Sequence, residues 1–231
     1  MNVCASSADT LKPFGAIFDW DGVVIDSSIQ HERSWEMLAE EVSKPLPADH
    51  FKQGFGKRNA VIIPEILGWT NDLEEIERLG RRKEELYREL VESDGLKALP
   101  GVRKLLRELK EASIPCVVGT STERKNLRLA FDLLDLGNFF LGSTCSEDVT
   151  RGKPHPEVFL KSAALTKLPP GKCVVLEDST HGIEAALAGN MKALGLATTR
   201  PAEKLKTAGA HFVIPDPTAA NLALLASLFE D

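Results

Sequence analysis

Long apolar runs are missing from this 231-residue chain. With no stretch of about eighteen apolar residues, no membrane-spanning helix is expected. The segment Met1-Asn2-Val3-Cys4-Ala5-Ser6-Ser7 has no apolar h-region, so no secretory leader is expected either. A basic surplus is also missing: the formal net charge of −6 gives no electrostatic reason to expect a nucleic-acid partner. Cysteine is sparse. Cys4, Cys116, Cys145 and Cys173 form no C-x-x-C pair, and two of them lie in strand-like runs. They read as reduced, mostly buried thiols of a cytoplasmic protein. Internal repeats and low-complexity tracts are absent. What remains, at 43% hydrophobic residues, is enough for a packed core in one large domain or in one domain carrying an insertion.

Four motifs stand out, each at the end of an apolar, strand-like run. Gly15-Ala16-Ile17-Phe18 leads into Asp19-Trp20-Asp21-Gly22-Val23-Val24, which places two carboxylates two residues apart. Strand residues i and i+2 point the same way, and such a pair is costly unless a cation or reacting group compensates it. Alone, the hexapeptide could be an Asx-rich turn. Pro115-Cys116-Val117-Val118-Gly119 ends in Thr120-Ser121-Thr122, whose hydroxyls and amides could hold phosphate oxygens or merely cap a helix. Gly152-Lys153-Pro154-His155-Pro156 sets Lys153 at a helix entrance, since Pro156 suits a first helical turn. Cys173-Val174-Val175-Leu176 runs into Glu177-Asp178-Ser179, adding two more carboxylates.

In a parallel sheet the strand C-termini open onto one edge, where ligands bind. One site would therefore collect Asp19, Asp21, Thr120, Lys153, Glu177 and Asp178. Four carboxylates against one lysine leave about three surplus negative charges, which push pKa values upward unless a divalent ion intervenes. All the candidate ligand atoms are hard oxygens, with no His or Cys near at metal-ligand spacing. That chemistry favours Mg²⁺, which commonly completes its shell with water and substrate phosphate.

D-x-D-G-V, then a hydroxyl, then K-P, then E-D, each after its own strand, resembles the haloacid dehalogenase-like superfamily of phosphatases and phosphomutases over nearly the whole chain. The resemblance implies that Asp19 attacks phosphorus to form an aspartyl phosphate. It implies that Asp21 protonates the leaving alcohol and then activates water. Asp19, Asp178 and the main-chain carbonyl of Asp21 would hold Mg²⁺, with Glu177 in support. Thr120 and Lys153 would bind the transferring phosphoryl group, and Ser121 and Thr122 belong to the same substrate-binding loop. Dehalogenases of the superfamily carry a different residue where Asp21 stands, so a phosphate ester is the expected substrate.

From Thr120 onward, strand-like runs alternate with helical ones. Strands are expected near 115–119, 139–143, 173–176, 191–196 and 211–214, and helices near 124–135, 156–167, 180–189, 201–208 and 218–229. That order signals an α/β, Rossmann-like, doubly wound parallel sheet. Between Asp26 and about Gly95 only helix-period patterns occur. The expected division is an α/β catalytic core of residues 1–26 and 95–231 with an all-helical cap of residues 27–94.

Within that cap, Ser27 and Gln30 fit a capping box, and His31, Trp35, Leu38 and Val42 fall on one face of the first helix. His31 is then either a core histidine or a group that responds to substrate near the phosphate. A second helix over about 72–93 carries Glu77/Arg81 and Glu84/Arg88 at i,i+4 spacing on a mostly solvated face. Lys83 interrupts its apolar stripe, to snorkel outward or to point into the cleft. Gly54-Phe55-Gly56-Lys57-Arg58 reads as a flexible basic loop, with Lys57 and Arg58 candidates for selecting the leaving group.

A small phosphate ester, with sugar phosphates fitting best, is the expected partner, and hydrolysis the expected reaction. A phosphosugar mutase like β-phosphoglucomutase is the alternative. Such mutases tend to carry Ser-Ala-Ser-Lys-Asn where this chain has Thr120-Ser121-Thr122-Glu123-Arg124. Outside enzymes, a phospho-acceptor receiver or a binding protein would share the acidic cluster, but receivers carry an adjacent acidic pair and accept phosphate on a later strand.

Overall fold

The computed structural model describes residues 13–230. The expectations for Cys4 and for the first seven residues lie outside them. In chain order the strands are β1 (Gly15–Phe18), β2 (Ile25–Asp26), β3 (Lys97–Ala98), β4 (Cys116–Gly119), β5 (Ser143–Thr144), β6 (Cys173–Glu177), β7 (Lys192–Leu196) and β8 (Phe212–Ile214). The helices are α1 (Ser28–Glu41), α2 (His50–Gly54), α3 (Asn59–Val61), α4 (Leu73–Asp94), α5 (Val102–Glu111), α6 (Arg124–Leu134), α7 (Glu157–Thr166), α8 (Thr180–Ala188), α9 (Ala202–Thr207) and α10 (Leu222–Ser227).

Six strands form one parallel sheet in the order β5-β4-β1-β6-β7-β8. Its central strands are buried throughout, as continuous apolar runs with helices on both faces must be. Alternate side chains serve alternate faces. Ala16, Phe18, Val118, Val174 and Leu176 pack with Leu105, Leu106 and Leu109 of α5 and Leu127 and Ala130 of α6. Ile17, Val117, Val175 and Ala193 pack on the other face with Val158, Phe159 and Ala163 of α7, Ile183 of α8 and Leu205 of α9. The sheet ends in short edges, two residues at β5 and three at β8.

Among the described residues no strand lies between β2 and β3, which pair antiparallel through Ile25 and Ala98. The helical stretch between them has its own apolar cluster, with Trp35 and Leu38 of α1 against Ile62, Ile63, Trp69 and, from α4, Ile76, Leu79 and Leu86.

Several local expectations are corrected. The Phe139-Phe140-Leu141 run is not a strand: Phe140 packs its ring against Phe18, Trp20 and Phe131, and β5 starts only at Ser143. The last helix starts at Leu222, capped by the Asn221 side chain, after a separate short turn at Pro217–Ala219. The capping box at Ser27 does not form, because the Ser27 hydroxyl is spent on Asp21 and Gln30 donates to the carbonyl of Gly95. Glu77 and Arg81 pair at 2.9 Å, but Glu84 does not pair with Arg88. Glu84 is buried, and Arg88 faces Glu123 and Asn126 instead. Helix α5, whose Val102, Leu105, Leu106 and Leu109 make a complete buried face, was not expected.

Candidate active site

Asp19 leaves β1 where the strand's last bond to β6 is made, its amide donating to the Leu176 carbonyl at 3.0 Å. The chain then turns on Gly22, at φ 78°, a conformation that suits glycine. A Cβ there would lie 2.2 Å from an oxygen of Asp178, so the turn also makes room for that carboxylate.

The i, i+2 argument for Asp19 and Asp21 fails, since both lie beyond the end of β1, and the two side chains find separate partners. The Asp19 carboxylate joins those of Glu177 and Asp178, with one oxygen from each within 4.8 Å of the others. Lys153 Nζ bridges Asp19 Oδ1 at 2.9 Å and Glu177 Oε1 at 2.6 Å, and the same ammonium lies over the ring of Phe159, 4.8 Å from its centroid. The other oxygen of Glu177 accepts from the amide and hydroxyl of Ser179 at 2.7 and 2.8 Å. Gly182 comes so close that a Cβ would lie 1.8 Å from the Glu177 carboxyl group.

Asp21 is held from three sides. Ser27 Oγ donates to Oδ1 at 2.5 Å, the Thr122 hydroxyl donates to Oδ2, and His31 Nε2 lies 3.4 Å from Oδ1. His31 also stacks on Tyr87, ring centroids 4.1 Å apart, and its Nδ1 lies 2.7 Å from Lys83 Nζ. Lys83 does not snorkel outward. It is 2% exposed, beside Glu84 at 3.0 Å and over the rings of Trp35 and Tyr87.

Burial and environment set the charges apart. Burial pushes the Asp19 carboxyl up to about 7, with Lys153 opposing and Glu177 adding to the rise. Asp178 is driven well above the ordinary carboxylate range by burial, Glu177 and Asp19. At Asp21 burial works the same way but is outweighed by the hydrogen bonds of His31, Ser27 and Thr122, which bring it down to about 2. Lys153 is raised despite burial, because Asp19 and Glu177 hold its proton.

A cavity of about 440 Å³ opens beside these groups. Asp19, Asp21, His31, Lys83 and Thr120, Ser121 and Thr122 line it, as do Lys57 and Arg58. Arg58 donates to the Thr150 carbonyl at 3.3 Å. Thr120 is buried, its hydroxyl accepting from the Thr122 amide at 3.1 Å.

Asp19, Glu177 and Asp178 fit a hard divalent cation by donor type and spacing. Glu177 already has partners on both oxygens, so Asp19 and Asp178 are the freer donors. The Asp21 side chain lies outside that group, turned towards His31.

Two contributors lie outside the expected site: Ser27, expected only as a helix cap, and the loop after β7. There Thr199 donates to Asp178 and Thr198 donates to the Gly22 carbonyl at 2.5 Å. Ala197-Thr198-Thr199-Arg200 carries the same signal as Thr120-Ser121-Thr122, hydroxyls directly after a buried strand.

The chain is similar to known proteins. Residues 15–190 match the family model of the haloacid dehalogenase-like hydrolases. The chain is 36% identical over 197 residues, 84% of its length, to a chloroplastic 5-amino-6-(5-phospho-D-ribitylamino)uracil phosphatase of Arabidopsis thaliana, of which it spans only 52%. It is 32% identical to a phosphorylated carbohydrates phosphatase of Thermotoga maritima, covering 74% of this chain and 78% of that one. The crystal structure of a β-phosphoglucomutase from Clostridium difficile superimposes with a TM-score of 0.82 at 25% identity, over 94% of this chain and 97% of the other. The protein belongs to the haloacid dehalogenase-like hydrolase family, and it is therefore an enzyme.

Proposed function

We propose that the protein is a Mg²⁺-dependent phosphatase of a small phosphorylated metabolite, acting through an aspartyl phosphate on Asp19. The observation that carries this is the division of labour between two neighbouring aspartates. Asp19 lies with Lys153 and the cation-fitting carboxylates, and Asp21 is held apart by His31, Ser27 and Thr122 at the same cavity. An Asp19 oxygen attacks phosphorus while the bond from phosphorus to the ester oxygen breaks, and Asp21 gives its proton to that oxygen. Water then attacks the phosphoryl group and loses a proton to Asp21, which releases phosphate and restores Asp19.

Lys153 and the loop of Thr120, Ser121 and Thr122 offset the charge of the transferring group. Asp19 and Asp178, with the main-chain carbonyl of Asp21, would hold Mg²⁺, which would supply the positive charge that keeps Asp19 ionised and draws in an anionic substrate. Negative charge arriving beside Asp21 raises its hold on a proton, readying it as the acid. Residues 27–94 serve as the cap, and Lys57 and Arg58 face the leaving group.

The cavity exceeds what a phosphoryl group alone needs, so the leaving group is bound too. Sugar phosphates and the phosphoribitylaminouracil named for the Arabidopsis relative are the first substrates to try. The test is phosphate release from p-nitrophenyl phosphate and that panel with Mg²⁺. Asp19→Asn should lower turnover more than about 1,000-fold with an unchanged circular dichroism spectrum; retention of most activity sinks the assignment.

A second reading, a phosphosugar mutase, is favoured by the likeness to β-phosphoglucomutase structures. Glu123 and Arg124 depart from the mutase pattern after the hydroxyl loop and favour hydrolysis. With β-glucose 1-phosphate and a trace of the 1,6-bisphosphate, rapid glucose 6-phosphate formation without free phosphate would reverse the preference.

A further inference from the structure

Glu84 had no part in the site as read from sequence, yet every part of its buried carboxylate is in use. Oε1 accepts from Lys83 Nζ at 3.0 Å and from Asn59 Nδ2 at 2.8 Å. Oε2 accepts from Asn126 Nδ2 at 2.6 Å. Asn126 in turn accepts from Arg88 Nη1 at 2.8 Å, one turn beyond Glu84 on the same helix. One carboxylate thus joins α3 and α4 to α6, the helix that begins just after the Thr120-Ser121-Thr122 loop.

The chain of contacts runs on to the reacting groups. A lysine ammonium has only donors, so His31 Nδ1 must accept from Lys83. The hydrogen of the neutral ring then sits on Nε2, on the side of Asp21. From the other direction Thr122, four residues before Asn126, closes the circuit on Asp21. A buried carboxylate that serves three donors is tolerated only when all are in place, so its geometry is over-determined. Support of that kind fixes a reacting group to a fraction of an ångström.

We infer that Glu84 and Asn126 are a positioning pair for the acid–base group: they fix Lys83, Lys83 fixes the His31 ring, and the ring aims Nε2–H at Asp21 only when α4 is seated on α6. Neither residue touches the reacting atoms. Lys83, held between His31 and Glu84, serves the same alignment and is not a free ammonium for a second phosphate. The catalytic consequence rests on the phosphatase reading; the alignment itself does not.

The full-length protein with Mg²⁺ is compared with Glu84→Gln and Asn126→Ser, measuring kcat and KM on p-nitrophenyl phosphate. The His31 ring ¹H–¹⁵N resonances are recorded by NMR, assigned with His31→Gln. The pair predicts kcat lower by about 10- to 100-fold with KM within about threefold, as for a misaligned acid–base group, and a displaced His31 Nε2–H signal. It is overturned if kcat stays within twofold in both variants, or if the His31 signal does not move. If the wild type hydrolyses no ester, the phosphatase reading falls, and the His31 signal alone decides the pair. If Glu84→Gln fails to fold, the milder Asn126→Ser decides in the same way.

Discussion

Ser27 stands where a helix cap belongs and works for Asp21 instead. Losing a capping serine ordinarily costs a helix about 1 kcal/mol, but the Ser27 side chain accepts nothing from the first turn of α1. Ser27→Ala should therefore leave the helical signal of α1 intact while lowering kcat about tenfold, checked by circular dichroism and steady-state kinetics. Glu84 gives a pH-dependent counterpart. Burial opposes its ionisation, but Lys83 and Asn59 outweigh it and hold the carboxyl below the usual glutamate range. A lowered carboxyl contributes stability in full above its unfolded value, and that contribution is lost as pH falls through the folded value. Glu84→Gln should cost about 2 to 4 kcal/mol at pH 7, by leaving Lys83 without its buried partner. The deficit should shrink as the pH drops below about 4.5. Urea titrations at pH 7 and pH 4 measure it, and an equal deficit at both would refute the charge argument.

At the level of elements, the turn from β6 into α8 carries the site more than any other, because Glu177 ends the strand and Ser179 caps the helix through the Gly182 amide. Gly182→Ala forces a methyl group into the Glu177 carboxyl and should cost at least about 2 kcal/mol, read as a lower urea midpoint at unchanged slope. The strands that frame this turn were legible because Val174, Val175 and Leu176 are apolar, branched and continuous, as a strand covered on both faces requires. The Phe139-Phe140-Leu141 run misled for the same reason: apolar content reports burial, and its aromatic rings reach the core from a turn. Three of the motifs were legible from their place at strand ends, which a parallel sheet brings to one edge, whereas Lys153 lies in the loop beyond β5, well after that strand stops at Thr144. The network around Asp21 was not legible, because Ser27 looks like a cap and the Lys83–His31 and Glu84–Asn126 contacts each join residues more than forty positions apart.

For the molecule as a whole, a ligand that binds only the folded chain raises its stability by about 2.7 kcal/mol at a hundredfold excess over its dissociation constant. Mg²⁺ should raise the melting temperature by several degrees and chelation should reverse the rise. Asp178→Asn should remove the response; a full response in that variant would place the cation elsewhere. Among the described residues no helix is long and apolar enough to cross a membrane. The parallel sheet stops at β5 and β8 after two and three residues. Rims this brief give a neighbouring molecule almost no backbone to zip onto, which guards against fibrous stacking. Contact between copies then falls to side chains rather than to shared backbone ladders, and single surface substitutions can tune it without disturbing the sheet.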